Sequence, residues 1–187
     1  MSTLYTDNIR ANNASQITLP TGNKIVGTDT GSIYSPGQVL QTVVYEADPT
    51  TATMTSVSST GSWVNTGNTA TITPMFATSK VLVNIYDPMH GDCDQDGHNE
   101  YIGWRLYKGT STVLKTFVYN GSEILTMLAS RGGQSAVQTM TTTHLDSPAT
   151  TSAVTYKTMI NRYSSSNRSL RINWNGTQSM VLQEIAQ

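Results

Sequence analysis

Charge is scarce in this sequence. Asp, Glu, Lys and Arg together make up 12% of its 187 residues, about half of the ~25% usual in a soluble domain. The 11 basic residues are balanced by 12 acidic ones, so no net field draws the chain onto a phosphate backbone or an anionic lipid surface. Nucleic acid and membrane are therefore not expected partners. Cysteine is scarcer still. Cys93 stands alone, which rules out an intramolecular disulfide and leaves stability to packing or assembly. No stretch approaches the ~18 consecutive apolar residues of a helical membrane span. The opening Met1-Ser2-Thr3-Leu4-Tyr5-Thr6-Asp7 has neither a basic n-region nor an apolar h-region, so the chain is expected to be made in a cytoplasm without a Sec-type address. Amphipathic helical periodicity is missing as well. The one glycine-rich point, Arg131-Gly132-Gly133, opens no helix and brings no lysine, so it reads as a turn and not as a phosphate cradle.

What the sequence has in abundance is Thr, Ser, Asn and Gln on one side and β-branched and aromatic runs on the other. From Pro36-Gly37 onward such runs recur at short intervals between turn formers, the pattern of an all-β sandwich or barrel. Strands are expected near 38–47, 69–73, 80–86, 101–108, 112–119, 123–128, 137–145, 153–161, 169–174 and 179–186. Alternation puts Val81, Val83 and Ile85 on one face, as it does Ile102, Trp104 and Leu106, and Leu170, Ile172 and Trp174; these nine form the expected core. Asn175-Gly176 and Asn120-Gly121 both tolerate positive φ and predict hairpins. Lys108-Gly109-Thr110-Ser111 predicts a longer third, so the sheets should be antiparallel.

Residues 1–36 read differently. Their apolar residues (Leu4, Ile9, Ile17, Leu19, Ile25, Val26, Ile33) are separated by Asn, Asp, Thr, Gly and Pro. Isolated short strands of this kind bury too little surface to offset their backbone entropy. The division expected is an extended segment over 1–36 and a β-sandwich domain over 37–187.

Three places invite a chemical reading. The first is His90-Gly91-Asp92-Cys93-Asp94-Gln95-Asp96-Gly97-His98-Asn99-Glu100. Asp92, Asp94, Asp96 and Gly97 fit the first six positions of an EF-hand-type calcium loop, whereas its twelfth position is Gly103 and flanking helices are absent. Glu100, at the ninth position, can still serve calcium in another geometry, and a solvated acidic loop accounts for the same residues. His90, Cys93 and His98 offer nitrogen and sulfur to zinc or iron at a spacing that matches no established finger. The second place is His144-Leu145-Asp146, where the His and Asp share a strand face as a base and its orienter would, with no nucleophile elbow in sight. The third is Trp63, the tryptophan outside the core phase, which is placed for a ligand contact or for covering the core edge. No constellation for catalysis emerges, and the chain reads as a non-enzyme.

Several segments together resemble the small tail-fibre or virion structural proteins of tailed bacteriophages infecting aquatic bacteria, cyanophages among them. They are 2–9 (Ser-Thr-Leu-Tyr-Thr-Asp-Asn-Ile), 17–25 (Ile-Thr-Leu-Pro-Thr-Gly-Asn-Lys-Ile), Pro36-Gly37-Gln38-Val39-Leu40-Gln41, Ile72-Thr73-Pro74 leading into Ser79-Lys80-Val81-Leu82-Val83, 146–156 and Leu182-Gln183-Glu184-Ile185-Ala186. The resemblance implies a homotrimer whose sandwich, jelly-roll-like in fold, follows an N-terminal segment that attaches to other virion proteins of tail or capsid. It also implies a virion location and, through distal loops, a host-surface glycan or protein as a further partner. It carries over no catalytic residue. Intertwining of three copies would give residues 1–36 the shared core they lack alone, and would cover exposed sheet edges.

Overall fold

In the computed structural model of the chain, the described residues are 21, 33, 35–47, 55–57, 62–93, 100–117, 125–127, 134–162, 170–172 and 176–187. The chain divides into two units, Met1–Ile33 and Tyr34–Gln187; the strands and the core described belong to the second. The expectation for residues 1–36 lies almost wholly outside the described residues.

Eleven strands succeed one another: β1 Val39–Glu46, β2 Thr55–Val57, β3 Val64–Ile72, β4 Lys80–Cys93, β5 Glu100–Lys108, β6 Thr112–Thr116, β7 Leu125–Met127, β8 Gln134–Asp146, β9 Val154–Arg162, β10 Leu170–Ile172 and β11 Ser179–Ile185. Among the described residues there is no helix. Every pairing is antiparallel. One sheet runs β1-β11-β4-β10-β2 with β8 on the other edge of β4; the second runs β3-β9-β5-β6 with β7 beside β5.

The pairings reduce to a simpler scheme. β11 meets residues 80–86 of β4 and β10 meets 89–91, so β10 and β11 are successive pieces of one interrupted strand. β1 and β2 line it in the same way, as do β6 and β7 along β5. Each sheet is thus four strands wide, and the chain crosses between sheets at every connection except those joining pieces of one strand and the β5–β6 hairpin. Two interlocked Greek keys of this order are a jelly roll, the fold class expected from the sequence.

The interruption between β10 and β11 corrects one expectation. Asn175-Gly176 makes no hairpin, because the strands it joins point the same way along β4. Opposite the break lies Pro88, which pairs with Thr139 on the β8 side but has no N–H to give a second ladder. A Cβ at Gly176 would stand 3.0 Å from Cβ and Cγ of Pro88, so the glycine serves close approach and not a type I′ turn. Asn120-Gly121 falls outside the described residues, and the strands on either side of it, β6 and β7, are likewise not hairpin partners. The expected hairpin at 108–111 is present, with Lys108 opposite Thr112 and Gly109 at φ +62°.

The core fills the space between the sheets. Val81, Val83 and Ile85 of β4 and Ile102, Trp104 and Leu106 of β5 are all buried there, as alternation predicts, with Ala70, Ile72, Met89, Met140, Val154, Tyr156, Ile160, Met180 and Leu182. Phe117 packs edge-on against Trp104, ring centroids 5.2 Å apart. The side chains of Leu170, Ile172 and Trp174 are outside the described set. The domain starts at a turn: Gln38 N donates to Ser35 O at 3.0 Å with Gly37 at φ +85°, the Pro-Gly geometry of a type II turn. Gly37 N then donates to Ala186 O at 2.8 Å, joining the first residues of the domain to the last.

Candidate functional site

The residues read as a calcium loop are only partly placed. Asp92 lies near the end of β4 opposite Ser135, and Glu100 opens β5 opposite Met127. Asp94, Asp96 and His98 fall outside the described residues, as do the side chains of His90, Asp92, Cys93 and Glu100. Among the described residues no group of three or more His, Cys, Asp or Glu is placed to hold a metal ion.

Trp63 is half-buried immediately before β3. The Arg105 guanidinium carbon lies 4.2 Å from its ring centroid, a cation–π contact that occupies one face of the indole. Trp63 is not among the described residues packed against the core, and its ring stays partly accessible.

His144 and Asp146 do share the inward face of β8, opposite Val83 and Val81. Asp146 is committed elsewhere, however. Its Oδ1 accepts from Lys108 Nζ at 3.0 Å and its Oδ2 from Tyr156 Oη at 2.8 Å. Among the described residues no hydrogen bond links it to His144. Burial lowers the His144 pKa below 6.5, Asp146 opposes that, and Lys115 and Lys108 add to it. The imidazole is therefore neutral at pH 7. Burial, and after it the bond to Asp146, raises the Tyr156 phenol well above its ordinary value. Lys115 completes the group from β6, donating to Thr142 Oγ1 at 2.5 Å and Thr143 O at 3.1 Å. These lysines reach from one sheet to the other and tie their edges.

Two further carboxylates, neither singled out by motif, lie inside the fold. Asp87 is fully buried on β4; its Oδ1 accepts from Asn68 Nδ2 at 2.6 Å and its Oδ2 from Trp104 Nε1 at 2.8 Å. Burial raises its pKa above 3.8, against the pull of hydrogen bonds from Asn68, Trp104 and Thr158. Asn68 is aimed there by a bulge in β3 between Asn65 and Thr69, with Gly67 at φ +90°. Glu184 on β11 is also buried. It accepts from Gln41 Nε2 at 2.6 Å and from Met75 N and Phe76 N at 2.8 and 3.2 Å. Burial pushes its pKa up, but these bonds together outweigh burial and leave it below 4.5. The signal for both was present in the alternation: 87 continues the inward phase of 81, 83 and 85, and 184 continues that of 180 and 182.

A shallow hollow of about 460 Å³ is lined by Asn84, Ile85, Thr141, Thr142 and Thr143. Among the described residues its walls offer hydroxyls and an amide.

No protein-family model matches the chain, and no curated protein matches it. Among solved structures it is similar to a chain of the T13 particle of infectious bursal disease virus, at 13% identity and a TM-score of 0.43, over 87% of this chain and 40% of that one. A mutant VP2 protein of the same virus in T=1 particles gives 14% and 0.39, over 87% and 41%. The Gx strain gives 10% and 0.41, over 87% and 36%. The chain spans about two fifths of the length of these structures.

Proposed function

We propose that this chain is a structural protein of a virion: a homotrimeric tail fibre or fibre-like appendage of a tailed bacteriophage, without enzymatic activity, in which residues 1–36 attach the domain to other virion proteins. The observation that carries the non-enzymatic reading is what the buried ionisable groups do. Asp87, Asp146 and Glu184 each hold strands or sheets together, and their oxygens are engaged by donors of the fold itself. A jelly roll, whose two packed sheets leave few exposed edges, suits a particle component that must stay folded outside a cell. The segments that resemble phage fibre proteins favour a fibre over a capsid-attached decoration.

Labelling purified particles with antibody against residues 37–187 tests this reading. Label on projecting appendages is the expected result, and particles that carry none overturn it. Light scattering should give about three times the 20.3 kDa chain mass.

A second reading, a receptor-binding adhesin for a host glycan, rests on Trp63, whose indole is half-buried and backed by Arg105. Retention of the protein on host cells, lost in Trp63→Ala, would favour it.

A further inference from the structure

We infer that the end of the sandwich at which the chain enters, at Ser35, is the surface that seats on the particle, and that the opposite end points outward. The inference rests on the virion reading above and names the face by which the domain docks. Register shows which strand ends lie together. Val39 stands opposite Ile185, Ile185 opposite Lys80, and Val81 opposite Asp146. In the other sheet Lys108 stands opposite Thr112 and Tyr156, and Ile72 opposite Val154. The bonds from Lys108 and Tyr156 to Asp146 bring these two sets of strand ends together. Residues 35–38, 73–79, 109–111 and 147–153 therefore belong to one end. The connections 58–63, 94–99, 128–133 and 163–169 leave and rejoin their strands toward the other, where Leu170 stands opposite Val57 and Gly91, Cys93 opposite Gln134, and Glu100 opposite Met127.

The two ends differ in charge. The first set of segments contains no Asp, Glu, Lys, Arg or His, whereas the second contains Asp94, Asp96, His98, Arg131 and Arg168. The centre of a protein interface is depleted in charge, because an ion covered there loses its hydration unless it is paired. The uncharged end is thus the one that a partner covers at the lower cost.

Preorganisation separates the ends again. Pro36, Pro74 and Pro148 all lie in the first set and none of the prolines lies in the second; each fixes its own φ. Hydrogen bonds hold the same segments. Met75 N and Phe76 N donate to Glu184, Gln41 Nε2 donates to Thr73 O at 2.7 Å, Gly37 N to Ala186 O at 2.8 Å, and Ser152 N to Thr150 Oγ1 at 3.0 Å. A surface already held in shape docks without a further ordering loss. Within it Ala149 is exposed at φ +54°, the one non-glycine residue with positive φ among those described. Its Cβ disfavours that left-handed conformation, and an exposed methyl recovers nothing from the core. Backbone strain of this kind collects at functional contacts.

The occupant of this face is the virion protein that holds residues 1–36. The covalent link through Ser35 presents the adjoining end to that protein at a high effective concentration, and an uncharged face calls for an uncharged counterpart.

Maleimide labelling of the full chain, read site by site from peptide masses, tests the inference with Thr110→Cys at the first end and Ser165→Cys at the second. Both sites should react in the purified chain. On intact particles carrying the variants, reaction at 110 should be lost and reaction at 165 kept. If Thr110→Cys does not fold, Ala149→Cys, exposed at the same end, takes its place. Reaction at the first end on the particle, or protection at 165, overturns the inference and leaves the virion reading standing. Protection of the first end already in the purified chain would give that face to a neighbouring copy and overturns the inference equally. Particles that contain no copy of the chain overturn the virion reading, and the docking face with it.

Discussion

Trp104 donates its indole N–H to Asp87 Oδ2 at 2.8 Å between two strands of different sheets, both side chains fully buried. The bond fixes the indole at the centre of the core, and Asn68 Nδ2 holds the other oxygen. Asp87→Ala would leave the Trp104 N–H and one N–H of the Asn68 amide without their acceptor, although Asn68 Nδ2 keeps Ser179 O at 3.0 Å, at about 1–3 kcal/mol for each N–H. Urea denaturation should show a loss of about 2–5 kcal/mol, with altered tryptophan fluorescence in the native state. A loss below about 1 kcal/mol would mean that the carboxylate does not organise the core.

Asp87 and Glu184 make opposite contributions to the pH dependence of stability. Burial raises the folded pKa of Asp87 above 3.8, so its contribution is complete below 3.8 and is lost as pH rises through the folded value. Glu184, although burial pushes it up, is held below 4.5 by its hydrogen bonds. Its contribution is complete above 4.5 and is lost as pH falls through the folded value. Glu184→Gln should therefore lower the melting temperature at pH 7 and make stability less sensitive to acid below pH 4.5. Melting curves from pH 3 to 7 check both effects. An unchanged acid limb in the variant would remove Glu184 from the account.

Much of the fold was legible because inward and outward positions alternate strictly in β11 and over residues 81–87 of β4. The bulged half of β3 was not, since Asn65-Thr66-Gly67-Asn68 carries the chemistry of a turn and precedes the strand expected at 69–73. Its strand character comes from pairing with β9, a contact distant in sequence. The same holds for β2, three residues long and paired, among the described residues, with β10. Asn175-Gly176 misled for the converse reason: the pair permits a hairpin locally, while β4 offers both flanking segments a longer partner. At the candidate site, Asp87 and Glu184 were visible as acids in the inward phase, but their donors come from remote strands and turns. Lys108 and Tyr156 gave no local sign that both would converge on Asp146.

Tyr156→Phe removes the hydroxyl that donates to Asp146 Oδ2 and leaves the ring in the core. Lys108 then remains as the partner of that carboxylate. A loss of about 1–2 kcal/mol in chemical denaturation is expected, since a buried bond to a charged acceptor is removed. In Lys108→Met the same substitution should cost more, because Asp146 is then left without either donor. A double-mutant cycle measures that coupling. Strict additivity would show that the two donors act independently.

Gly176→Ala tests why the long strand opposite β4 is broken. The added Cβ would stand 3.0 Å from Cβ and Cγ of Pro88, and a proline ring embedded in β4 cannot turn aside. A cost of about 1–3 kcal/mol is expected from the overpacking. Gly109→Ala serves as the comparison, because its φ of +62° is strained but nothing lies within 4 Å of its Cβ position; its cost is backbone strain alone, about 1 kcal/mol. In a Pro88→Gly background, which removes both clashing atoms, the penalty for Gly176→Ala should shrink while that for Gly109→Ala stays the same. If the Gly176→Ala penalty is equal in both backgrounds, contact with Pro88 is not what requires glycine there.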